Sequence, residues 1–156
     1  MCEAVREYRR RARIALAEAR YWRRRERSPE SFARSLGIHV DTHPFHRGIQ
    51  GLYLSLRDGG EVIAINDKLT CAHRHFVLAH ELGHAMLDPD LYPAQRTFLR
   101  DRDEDSRAVQ EQEQVIDLFA SRLSGVKLSR APWRYRQRRK RIDRTLNPFA
   151  GVQEGS

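Results

Sequence analysis

From Arg74 to Leu87 the chain reads RHFVLAHELGHAML, and this stretch constrains the fold more than any other. Phe76, Val77, Leu78, Ala79, Leu82, Ala85, Met86 and Leu87 make it apolar on nearly every side of a helix. A helix of that kind belongs inside a protein. Yet the same stretch carries His80, Glu81 and His84. A polar group buried without a partner costs roughly 2–7 kcal/mol. Whatever this chain folds into must supply partners for these three side chains.

The spacing suggests one. Residues i and i+4 of a helix share a face, so His80 and His84 can offer two nitrogens to one metal ion. Zinc accepts neutral imidazoles; a catalytic zinc takes three protein ligands and keeps the fourth position for water. Glu81, beside the first histidine, is placed to take a proton from that water. Gly83 keeps the face between the ligands small. By composition alone, a chance HExxH has a probability of about 0.02, so the motif carries weight. The plain alternative is a pair of core histidines satisfied by backbone hydrogen bonds.

A third ligand must come from elsewhere, and EQVIDLFASRL, residues 113–123, offers candidates. Ile116, Phe119, Ala120 and Leu123 mark the buried face of a second helix. Glu113 lies on that face and Asp117 close to it. A carboxylate on a core-facing stripe is misplaced unless something positive meets it; an arginine would also serve. Glu113 is favoured as the ligand. Asp117 then fits as an outer group, accepting the far N–H of a ligand histidine and setting its tautomer.

The rest of the pattern is α+β, mostly helical, with a small β-sheet ahead of the central HExxH helix. Residues 3–26 read as a helix with a thin apolar stripe of Val5, Tyr8, Ala12, Ala15, Ala19 and Trp22, which suits either the domain or a partner. Ser28-Pro29-Glu30 starts a short helix and Leu36-Gly37 ends it. Ile38–Val40 reads as a strand. Residues 52–56 and 61–65 flank Asp58-Gly59-Gly60 as a hairpin. Thr70 caps the HExxH helix. A polar loop is expected over 88–103, a long helix over 104–124 ending at Gly125, and a last, basic helix from Pro132 to about Leu146.

Charge sets further bounds. The 156 residues carry a net charge of +8, with ten arginines against four glutamates in residues 1–27 and eight Arg/Lys against one aspartate in residues 129–144. Basic ends of this kind can neutralise phosphates and contact DNA without sequence preference, or they can be solvated helix faces. Trp133 and Tyr135 interleave with arginines in the second basic segment, an arrangement that suits stacking on bases. No run of 18 apolar residues exists, so no membrane span is expected. Cys2 and Cys71 do not make a disulfide framework. Cys71 is read as a small buried thiol, and a reducing cytoplasm is the default.

Taken together these motifs resemble a family. His80-Glu81-Leu82-Gly83-His84, preceded by Arg74-x-Phe76-x-Leu78-Ala79, is similar to the zinc helix of the ImmA/IrrE metallopeptidases. Glu113-x-x-Ile116-Asp117-x-Phe119-Ala120 resembles that family's second signature, with Ile116-Asp117 standing where the family has Ala-Asn. Phe32–Gly37 with Ile38-x-Val40 resembles its opening helix and strand. Gly51-Leu52-Tyr53 and Ile63-x-Ile65-Asn66 fit its hairpin. The likeness covers about residues 29–124.

The resemblance implies a zincin-like domain over 29–125, a basic N-terminal helix over 1–28 and a basic tail over 126–156. It implies Zn2+ held by His80, His84 and Glu113, with Glu81 as the base. It further implies a cytoplasmic endopeptidase that cleaves a helix-turn-helix transcriptional repressor, encoded by a phage, a mobile element or a stress locus. His39, His43, His46, His75 and Tyr92 are the candidates to stabilise an oxyanion. Two other readings fit the residues: a non-proteolytic DNA-binding regulator acting through its basic ends, and a partner-binding protein with a structural zinc. Oligomeric state is not legible.

Overall fold

The computed structural model describes residues 3–25, 27–45, 49–56, 59–87 and 107–131. The expected polar loop at 88–103, the last helix over 132–146, Cys2, His46 and Tyr92 lie outside these residues.

Helix α1 (Glu3–Arg24) is amphipathic and buries one stripe: Ala12, Ala15, Leu16 and Ala19 are at most 4% exposed, with Tyr8 and Trp22 packed against the same core. The small stripe lets α1 lie close on the long helix α4 (Arg107–Ser124). The stripe therefore belongs to the chain's own core. At the end of α1, the Arg23 guanidinium rests against Gly125, where a Cβ would come within 2.5 Å of Cζ. Gly125, with φ +72, also provides the left-handed turn that ends α4.

Helix α2 (Pro29–Ser35) starts as the sequence suggests, with the Ser28 hydroxyl accepting from the Ser31 N–H at 3.2 Å and Pro29 in the first turn. Gly37, at φ +72, turns the chain into strand β1 (His39–His43). Strands β2 (Gly51–Ser55) and β3 (Glu61–Asn66) form the expected antiparallel hairpin. β1 pairs in parallel with β3, so the order is β1-β3-β2 and β3 is central. Alternation along the strands turns Tyr53, Ile63 and Ile65 inward.

Helix α3 (Cys71–Leu87) fills the middle. It packs on α4, on α1, on α2 and on the inner face of β2 and β3. Phe76, Val77, Leu78, Ala79 and Leu82 are all 0% exposed. Of these, Phe76, Val77, Leu78 and Leu82 each contribute about 1.5–3 kcal/mol by leaving water. Surrounded in this way, α3 can be apolar on nearly all sides. Its first residue, Cys71, is exposed, which corrects the expectation of a buried thiol. The helix starts at the solvent edge and only its later turns enter the core.

Candidate metal centre

Two helices bring the site together. From α3 come His80, Glu81 and His84, exposed by 1%, 2% and 5%. From α4 come Glu113 and Asp117, exposed by 8% and 6%. Close contact between the helices depends on Gly83. A Cβ there would meet Ile116 Cγ2 at 2.9 Å and Phe119 Cδ1 at 3.2 Å. The glycine that separates the histidines in sequence thus lets α4 approach them.

The three donor groups form a tight triangle. His80 Nε2 and His84 Nε2 are 3.1 Å apart. His80 Nε2 lies 3.3 Å from Glu113 Oε2, and His84 Nε2 lies 3.3 Å from Glu113 Oε1. In a tetrahedral zinc site with bonds near 2.0–2.1 Å, neighbouring donors sit about 3.3–3.4 Å apart. Each imidazole thus faces a different oxygen of the Glu113 carboxylate at about the spacing of two such ligands, and the three residues lie close enough to hold one metal ion.

Behind His80, the Nδ1–H donates to Asp117 Oδ1 at 2.9 Å. That bond leaves the Nε2 lone pair of neutral imidazole directed at the triangle. It is the arrangement expected from the sequence for Asp117. Burial works against a charged His80, but the Asp117 and Glu113 carboxylates outweigh it and hold its pKa above the ordinary value. Three carboxylates, on Glu81, Glu113 and Asp117, are buried on the same two helices as the two imidazoles, and Glu113 and Asp117 face His80 directly. A divalent cation balances such a donor set, so the residues fit the metal that the HExxH spacing implies.

Glu81 sits against the first residue of β2. A Cβ on Gly51 would meet Val77 Cγ1 at 2.6 Å, Glu81 Cγ at 3.1 Å and Glu81 Oε1 at 3.4 Å. Gly51 therefore lets the strand backbone reach the Glu81 carboxylate. This role was missed in the sequence, where Gly51 stood out only within a family motif. A glycine at the head of a strand does signal close backbone approach. Three of the other histidines among the described residues lie elsewhere. His39 and His43 are exposed on β1, across β3 from β2. His43 packs its ring at a tilt against Phe45, and His75 faces Glu30 at 3.5 Å.

A small mixed sheet carrying a buried HExxH helix, with a glutamate from a following helix closing a donor triangle, defines the metallopeptidase class. The family model for the IrrE N-terminal-like domain matches residues 33–124, and the chain belongs to this ImmA/IrrE metallopeptidase family. The chain is also 36% identical over 75 residues to "Uncharacterized immunity region protein 2" of Bacillus phage phi105. That match covers 48% of this chain and 45% of the phage protein, so it spans less than half of either. No solved structure matches the chain.

Proposed function

We propose that this protein is a zinc-dependent endopeptidase that cleaves a helix-turn-helix transcriptional repressor and so derepresses genes. The observation that carries the reading is the donor triangle of His80, His84 and Glu113, with Asp117 behind His80. The match to a phage immunity-region protein supports a regulatory substrate. Residues 29–125 form the peptidase unit in this reading, flanked by basic ends at 1–28 and 126–156 that can contact DNA without sequence preference. The site of action is the cytoplasm, where a DNA-bound repressor is found. No helix among the described residues is long and apolar enough to cross a membrane.

His80, His84 and Glu113 would hold the zinc. Bound there, zinc would acidify water and polarise a peptide carbonyl. Glu81, buried on α3 and next to His80 in the chain, would take the proton of the attacking water and return it to the leaving nitrogen as the C–N bond breaks. Asp117 would fix the His80 ring and its tautomer. Gly51 would keep the β2 backbone against Glu81 and so limit where the carboxylate can point.

The test is cleavage of a panel of helix-turn-helix phage repressors, by the wild type and by Glu81→Gln, with zinc content measured on both. The reading expects cleavage by the wild type alone and about one zinc in each. A wild type that binds zinc and leaves every repressor and a panel of peptides intact would point to an inert structural site.

A further inference from the structure

We propose that the outward face of α1 is a docking rail for the phosphate backbone of duplex nucleic acid. Arg6, Arg10, Arg13, Ala17, Arg20 and Arg24 recur at alternating intervals of four and three, which is one line along a helix. All six are exposed. The line is displaced by two positions, about 200° around the helix, from the buried stripe of Ala12, Ala15 and Ala19. Packing of α1 on α4 therefore aims the arginines straight away from the core.

Helix stability accounts for little of this line beyond Arg24, whose place in the last turn suits the dipole. Like charges three or four apart oppose each other along a helix. Arginines near a helix start also meet the positive end of its dipole, which is where Arg6 sits. Glu7 relieves part of the strain by bridging Arg10 and Arg11 at 2.9 and 3.0 Å. Among the described residues, Arg13, Arg20 and Arg24 meet no carboxylate. Every basic residue in positions 1–27 is arginine and none is lysine. Arginine presents a planar fork that grips phosphate oxygens in pairs.

The dimensions favour a regular polyanion. From Arg6 to Arg24 the rail is about 27 Å long at 1.5 Å per residue. One DNA strand presents a phosphate about every 3.4 Å, so about eight lie alongside. A membrane-surface helix would instead need its apolar face for lipid, and in α1 that face is committed to the chain's own core. At the end of the rail Arg25 sits over the exposed Tyr21 ring, 4.1 Å from its centroid, which holds one more guanidinium in place. The inference deepens the DNA contact proposed for the basic N-terminal end and does not depend on peptidase activity, since none of these residues belongs to the metal centre.

The experiment is fluorescence anisotropy of a labelled duplex of about 24 base pairs, titrated with the full chain at several salt concentrations. Five phosphate contacts give log K against log salt a slope of about −4.5. The variant R13Q/R20Q/R24Q should lower affinity at 0.1 M salt by on the order of a hundredfold and flatten the slope by about three. A control, R34Q/K68Q/K127Q, removes the same charge from exposed positions off α1 and should bind nearly as the wild type does. Equal losses in both variants, unchanged binding in the rail variant, or no binding by the wild type would overturn the proposal. Circular dichroism checks that both variants fold. Glu81→Gln should bind the duplex like the wild type, so failure of the peptidase reading and failure of the rail are told apart.

Discussion

Asp117 holds His80 from behind: its Oδ1 accepts from Nδ1 at 2.9 Å, while Nε2 of the same ring faces Glu113 at 3.3 Å. The two carboxylates come from successive turns of α4 and grip one imidazole at both nitrogens. Asp117→Asn should keep the fold yet weaken zinc binding by about 10- to 100-fold, because the ring loses its charged anchor. Competition with a chromophoric chelator measures this. Undiminished affinity would assign Asp117 to packing alone.

The ligand roles separate by metal content. His84→Ala and Glu113→Ala should each abolish stoichiometric zinc, whereas Glu81→Gln should retain it and lose only turnover. Mass spectrometry of the purified variants gives the answer. Zinc retained in Glu113→Ala would move the third ligand elsewhere.

Metal uptake should depend on pH in a defined direction. The folded, metal-free His80 has its pKa raised above 6.5. The charged form therefore adds stability that is full below about pH 6.5 and is lost as pH rises through the raised value. A metal must displace that proton, so zinc affinity should fall as pH drops through the same range, with proton release on binding. Calorimetry in buffers of different ionisation enthalpy would show the release. Affinity unchanged from pH 8 to pH 6 would contradict it.

Gly83→Ala should damage stability and metal binding together. Its methyl would sit 2.9 Å from Ile116 Cγ2 and 3.2 Å from Phe119 Cδ1. Overpacking of this kind costs about 1–3 kcal/mol, and it would push apart the two helices that carry the proposed ligands. Thermal melting with and without zinc measures both effects. A variant as stable as the wild type, with equal zinc affinity, would show that the helices are not so closely packed.

Gly51→Ala should act more locally. Its Cβ would come 2.6 Å from Val77 Cγ1 and 3.1 Å from Glu81 Cγ. Displacing Glu81 should lower kcat while zinc content holds, since no ligand is touched. Peptide cleavage by the zinc-loaded variant checks this; full activity would remove Gly51 from the positioning role.

Much of the site was legible in the chain because it rests on local periodicity. His80 and His84 share a face whatever surrounds their helix, since the helical repeat alone puts them there. Glu113 and Asp117 could be placed near a core-facing stripe for the same reason. Short-range rules likewise marked the Ser28 cap, the Gly37 and Gly125 terminators and the hairpin of β2 and β3. Other features depend on which elements meet. The parallel pairing of β1 with β3, the contact of Gly51 with Glu81, the exposure of Cys71 and the closing of the donor triangle by α4 join residues distant in the chain. No periodicity specifies such neighbours. The stripe of α1 shows the division well. Its apolar and arginine faces are written in the sequence, but only burial of Ala12, Ala15 and Ala19 in the chain's own core decides that the arginines face water. Periodicity selects faces, whereas long-range packing selects what each face meets.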